Sequence, residues 1–144
     1  MKKAEVCILA GDGIGPEVTR EARAVVDLCA ERFSFRVGWS EALIGGAAID
    51  AEGTPLPPAT LERARGSDAV LLGAVGGPKW DDPRSTVRPE QALLGLRRGL
   101  ELFGNLRPIQ VIPALAASAP LRAEILAGVD ILFVRELTGG VYFG

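Results

Sequence analysis

The clearest chemistry in this sequence lies between Pro89 and Phe103. Placed on a helix at about 100° per residue, Ala92, Leu96, Gly99, Leu100 and Phe103 fall in one sector, as a core stripe does. Glu90, Leu93, Leu94 and Arg97 cluster in a different sector. Glu90 and Arg97 are too far apart for an i,i+4 ion pair. Two leucines between a carboxylate and a guanidinium fit the wall of an apolar pocket with charged anchors at either end, as well as a solvated face. Two further arginines stand at junctions: Arg107 precedes Pro108 at a strand start, and Arg135 follows the apolar run Val129–Val134. Three converging guanidinium groups would suit a substrate with two carboxylates, each accepting a bidentate pair.

A second candidate is the glycine-rich turn Gly11-Asp12-Gly13-Ile14-Gly15-Pro16. It joins an apolar run to a helical pattern, as a dinucleotide fingerprint would. The fingerprint needs Gly-x-Gly-x-x-Gly, and the third glycine is replaced by Pro16 in one frame and Val18 in the other. No Gly-Lys-Ser/Thr phosphate loop occurs either. Two readings stand: a tight strand–helix turn, or a glycine-lined helix start that admits a ligand close to the backbone.

Several chemistries are excluded by residue type. The chain of 144 residues has no histidine, which removes Ser-His-Asp and Cys-His mechanisms and most zinc sites built within it. Its two cysteines, Cys7 and Cys29, form no C-x-x-C and read as buried free thiols on apolar faces. Asp12 belongs to the turn and Asp81-Asp82 has no metal-ligand spacing, so no metal ligands are assigned. A near-balanced net charge of −2 leaves no footprint for nucleic acid or an anionic membrane. Apolar runs such as Ala69–Val75 are too short to span a bilayer, and Glu5 and Asp12 interrupt any signal-peptide core. A cytoplasmic protein is expected.

The elements that must position these residues alternate. Glu5–Ala10 and Asp68–Ala74 read as buried strands, and Ser34–Ser40 as a half-buried one. A helix opens at Pro16 with Glu17 at its positive end, and Val18, Ala22, Val25, Val26, Cys29 and Phe33 form its expected buried stripe. Gly45–Pro58, with its glycines and prolines, is expected to be loop with a short strand at Ala47–Asp50. A short helix follows at Pro58–Arg65, then a polar loop from Gly76-Gly77-Pro78 to Arg88 and the helix opening at Pro89 and reaching Phe103. Strands at Arg107–Ile112 and Val129–Arg135 flank a short helix at Leu121–Ala127. This alternation predicts an α/β fold with a mainly parallel sheet and flanking helices.

Six segments occurring in order point further: Gly11–Glu17, Gly45–Asp50, Gly76–Trp80, Arg88–Arg97, Asn105–Pro108 and Arg135–Gly144. Together they resemble the 3-isopropylmalate dehydrogenases of the isocitrate/isopropylmalate dehydrogenase family, metal-dependent decarboxylating enzymes whose nucleotide fold is not of the Rossmann type. The resemblance implies that Arg97, Arg107 and Arg135 hold the carboxylates of a 2-hydroxy dicarboxylate substrate. Leu93 and Leu94 would receive the isopropyl group. Glu90 would lie near the nicotinamide ribose, with Ile14 and the loop Gly77, Pro78, Lys79, Trp80 at the cofactor. Tyr142 would be the catalytic tyrosine that helps protonate the enol after loss of carbon dioxide.

The implied cofactors are NAD and Mg²⁺ or Mn²⁺, and the implied state of the complete enzyme is a homodimer. The family's catalytic lysine, metal-binding aspartates and adenosine-binding loop have no counterpart here. The expected identity is therefore an N-terminal portion, truncated and inactive alone. Residues 1–102 would begin the cofactor-binding domain and 103–144 an incomplete substrate and dimer domain. The alternatives are a sister enzyme acting on isocitrate, homoisocitrate or tartrate, and a non-catalytic fragment. Leu93-Leu94 discriminates the first, because leucines offer no donor to a third carboxylate.

Overall fold

Two apolar runs and one half-buried strand pair side by side because none can satisfy its backbone alone. The structure, a computed structural model, describes residues 3–82, 84–137 and 139. Two compact units, Met1–Leu100 and Glu101–Gly144, are described in turn.

In the first unit β1 (Lys3–Gly11) lies between β2 (Arg36–Glu41) and β3 (Ala69–Ala74), all parallel, in the order β2-β1-β3. Val6 stands opposite Trp39 on one side and Ala69 on the other. Helix α1 (Gly15–Arg32) connects β1 to β2, while α2 (Gly46–Glu52) and α3 (Pro58–Arg65) lead to β3. The connection from β1 thus runs to β2 on one side, and the connection from β2 passes back beyond β1 to β3 on the other. The central strand is covered on both faces, so Cys7, Ile8 and Leu9 form an unbroken buried run. On one face Cys7 and Leu9 pack with Ile44, Ala64 of α3, and Ala92 and Leu96 of α4 (Gln91–Gly99). Fully burying a side chain such as Leu9 or Ile44 contributes roughly 1.5–3 kcal/mol. Burial also pushes the Cys7 thiol above its ordinary value.

The other face carries α1 at unusually close range. A Cβ on Gly15 would lie 2.0 Å from the Ala10 carbonyl oxygen, and one on Gly73 would lie 2.3 Å from the same oxygen. Glycine at both positions is what lets the start of α1 sit on the sheet backbone. The buried side of this helix is consequently made of small residues: Gly15, Thr19 and Ala30. The expected stripe is corrected here, since Val18, Val25 and Phe33 are exposed while Ala22, Val26 and Cys29 are only partly covered. Close helix–sheet contact selects small side chains, and the larger ones turn away.

Two other expectations change. Gly45–Pro58 is not loop with a strand at Ala47–Asp50; residues Gly46–Glu52 form helix α2. Its glycines act as boundaries, Gly45 at the start with φ 73° and Gly53 in the left-handed conformation at the end. Between them Ala-Ala-Ile-Asp-Ala-Glu favours a helix. Helix α4 stops at Gly99 rather than Phe103, because Glu101 turns to φ 54° and breaks the ladder. Phe103 is exposed, while Ala92, Leu96 and Leu100 keep their places in the core.

The second unit holds β4 (Gly104–Gln110), a 3₁₀ turn at Pro113–Ser118, α5 (Ala123–Leu126) and β5 (Asp130–Glu136). Strands β4 and β5 pair antiparallel, which departs from the parallel arrangement of the first unit. Asn105 stands opposite Arg135, and Arg107 opposite Phe133.

Candidate functional site

Parallel strands gather their C-terminal ends on one edge, and ligands of open α/β sheets bind at that edge. In the first unit that edge carries the turn after β1 and the loop after β3. The turn is set by local hydrogen bonds. Asp12 N–H donates to the Ala74 carbonyl at 2.7 Å, and Gly15 N–H donates to the Asp12 carbonyl at 2.8 Å. Gly11 and Gly13 take positive φ values of 74° and 55°. Ile14 follows, 61% exposed at the first turn of α1.

The loop after β3 is held at two points. At its base Gly76 N–H donates to Asp12 Oδ2 at 2.8 Å. At its tip, a 3₁₀ turn over Pro78–Trp80, Lys79 Nζ donates to Asp50 Oδ2 at 2.5 Å and Trp80 Nε1 donates to Asp50 Oδ1 at 3.2 Å. Lys79 also lies over the Trp80 ring, 5.2 Å from its centre. These donors hold the Asp50 carboxyl below its ordinary 3.8, the Lys79 hydrogen bond contributing most. The Trp80 ring covers Gly46 so closely that a Cβ there would lie 2.5 Å from the ring atoms. Asp50 was missed in the sequence, because only the helical conformation of α2 turns it toward this loop.

Glu90 precedes α4 and brings its carboxylate to the same place. A Cβ on Gly76 would lie 2.6 Å from Glu90 Oε1. The turn 11–15, the loop Gly76–Trp80 and Glu90 thus assemble at one end of the sheet, walled largely by backbone and by the exposed Ile14. Such a cradle fits the close approach of a flat or anionic ligand group, and the residues present can hold one end of a dinucleotide. On α4, Leu94 is exposed, Leu93 and Arg97 are half-buried, and Ala92 and Leu96 point into the core. A groove of about 390 Å³ beside the turn is lined mainly by Ile8, Ala10, Leu43, Ile44 and Ala47. It contains none of Gly76–Trp80 or Glu90, so the loops and not this groove form the candidate site.

In the second unit, Asn105 and Arg107 are two residues apart on β4 and share a face with Arg135, which stands opposite Asn105. Arg107 Nε donates to Asn105 Oδ1 at 3.1 Å. The antiparallel register therefore brings Arg107 and Arg135 to one face of a ribbon. Asn105 is a polar neighbour that residue type alone did not single out. Tyr142 lies outside the described residues. Among the described residues no three His, Cys, Asp or Glu side chains come together to hold a metal ion, so this arrangement does not fit a metal centre by itself. Among them, too, no helix is long and apolar enough to cross a membrane.

A family model for isocitrate/isopropylmalate dehydrogenase matches residues 5–144. The chain belongs to the isocitrate/isopropylmalate dehydrogenase family. Among similar family members, the 3-isopropylmalate dehydrogenase of Anaeromyxobacter dehalogenans is 60% identical over 141 residues, covering 98% of this chain and 40% of that protein. That of Nitratidesulfovibrio vulgaris is 61% identical over 140 residues, covering 96% of this chain and 39% of the relative. The chain therefore spans about 40% of the length of these curated relatives. Solved structures agree on the fold. An isocitrate dehydrogenase from Methylococcus capsulatus matches with a TM-score of 0.72 at 30% identity, covering 100% of this chain and 37% of that one. A β-decarboxylating dehydrogenase from Thermococcus kodakarensis matches with a TM-score of 0.66 at 33% identity, covering 97% and 35%.

Proposed function

We propose that this chain forms the part of a 3-isopropylmalate dehydrogenase that presents the nicotinamide-facing loops and the substrate arginines. One observation carries the reading: the turn 11–15, the Gly76–Trp80 loop and Glu90 meet at the C-terminal edge of a parallel sheet. The relatives, by name 3-isopropylmalate dehydrogenases, supply the reaction class. NAD, when bound, supplies the hydride acceptor for the hydroxyl-bearing carbon, after which the resulting β-keto acid loses carbon dioxide. Ile14, Gly77, Pro78, Lys79, Trp80 and Glu90 orient the nicotinamide end. Arg97, Arg107 and Arg135 hold the two substrate carboxylates in reacting geometry. Leu93 and Leu94 accept the isopropyl group. Tyr142 returns a proton to the enol carbon once carbon dioxide has left.

A magnesium or manganese ion also belongs to this reading, with ligands other than the described residues. Residues 1–102 act as the start of the cofactor domain and 103–144 as the start of the substrate and dimer domain of a cytoplasmic homodimer. The test joins residues 1–144 to the remainder of the Anaeromyxobacter relative and measures NADH formation with Mn²⁺. Turnover of 3-isopropylmalate well above isocitrate is expected, because Leu93 and Leu94 would leave a third carboxylate desolvated and without a donor. Faster turnover of isocitrate would contradict the assignment. The 144-residue chain by itself is expected to give no NADH.

A further inference from the structure

We propose that Asp12 is the positioning residue of this site: it orders the Gly76–Trp80 loop and the start of α2 around the turn after β1 without itself meeting a ligand. The inference rests on the reading above only for which ligand the loop receives.

The side chain is 4% exposed. Its Oδ2 accepts from Gly46 N–H at 2.7 Å and from Gly76 N–H at 2.8 Å, and its Oδ1 accepts from Ala47 N–H at 2.7 Å. The backbone of Asp12 is also committed, to Ala74 on one side and Gly15 on the other. Each main-chain polar group and both carboxylate oxygens therefore face protein, which leaves Asp12 to act through what it holds. What it holds comes from two segments, 34–35 and 64 residues away in sequence. Backbone crowds the carboxylate so tightly that a Cβ on Gly45 would lie 2.5 Å from Oδ2. The glycine at position 45 thus finds its cause in this acid, which needs amides rather than side chains around it.

An ionised carboxylate is acceptor-only and meets three donors without conflict. An amide in its place presents an N–H₂ to at least one N–H, leaving donor against donor. Loss of a buried acceptor from one amide is worth about 10-fold in the local equilibrium. Asp12→Asn should therefore loosen the loop base and α2 start selectively.

Two measurements test this. In residues 1–144, hydrogen exchange at one or more of the Gly46, Ala47 and Gly76 amides should accelerate about 10-fold in Asp12→Asn, relative to the β1 and β3 amides. Unchanged exchange at the three amides would overturn the proposal, and so would a uniform loss of protection through β1 and β3, which marks a merely structural residue. In the fused complete enzyme, Asp12→Asn should raise KM for NAD about 10-fold while KM for 3-isopropylmalate stays within about twofold. A lower kcat with both KM values unchanged would mean fewer folded molecules, and would also overturn it. If the parent fusion is inert, the reading of the reaction fails, and the exchange measurement still decides the role of Asp12.

Discussion

At the residue scale, the chemistry of this chain depends on which polar side chains are aimed and which are merely solvated. Arg107 donates to Asn105 and shares a ribbon face with Arg135, so its guanidinium is directed rather than trailing in solvent. Directed geometry is what a bidentate contact to a carboxylate requires. Lysine keeps the charge but loses the planar fork and the hydrogen bond to Asn105. In the fused enzyme, Arg107→Lys and Arg135→Lys should each lower kcat/KM for 3-isopropylmalate at least about 10-fold. A change smaller than twofold in both would remove the ribbon from the substrate site. The arginines were legible as candidates because residue type and junction position pick them out. Their shared face was not, because an antiparallel register decides which residues of two strands meet.

At the element scale, helix α2 and the Pro78–Trp80 turn act as a pair joined by Asp50. Its carboxyl is held low first by Lys79, with a further hydrogen bond from Trp80. A carboxylate with a depressed folded-state pKa keeps its contribution in full above its ordinary value and loses it as pH falls through the lower one. Trp80 reports on this contact directly. In a Trp39→Phe background, Trp80 emission should stay constant from neutral pH down to about 4 and shift only below that. Asp50→Asn should show no such acid step, because the titrating group is gone. An identical acid step in both proteins would assign it to another group, such as Asp82, whose carboxyl Arg84 also holds low.

At the scale of the whole molecule, the exposed apolar surface is the dominant feature. On α1, Val25 is 61% and Leu28 66% exposed, and on the β4–β5 ribbon Leu106 is 62% and Val134 66% exposed. Scattered exposed leucines are ordinary, but a helix face and a ribbon with apolar residues along them are sites of association. Among the described residues β2 and β3 each pair with a strand on one side only, which leaves two sheet edges open to association. Residues 1–144 expressed alone should therefore self-associate or capture a complementing segment, and light scattering after gel filtration should give a mass above 15.1 kDa. A monodisperse monomer that binds no hydrophobic dye would contradict this.

Reading the chain without coordinates was sufficient for β1 and β3, because a strand buried on both faces shows as a continuous apolar run. It was sufficient for α3, which opens at Pro58, and for the core side of α4, where a 3.6-residue period survives in residue type. The six ordered segments also carried the family, since each places unusual residues at fixed spacing. What tertiary structure alone decided was contact between distant segments. Close approach of α1 to the sheet reversed the expected sides of Val18 and Val25, a choice made by Gly15 and Gly73 rather than by helical period. The caps at Gly45 and Gly53 made α2 a helix, and only that helix delivers Asp50 to Lys79 and Trp80. Asp12 reads as a turn residue in one dimension. Its carboxylate becomes a hub only because folding brings residues 46, 47 and 76 to within hydrogen-bond distance of it.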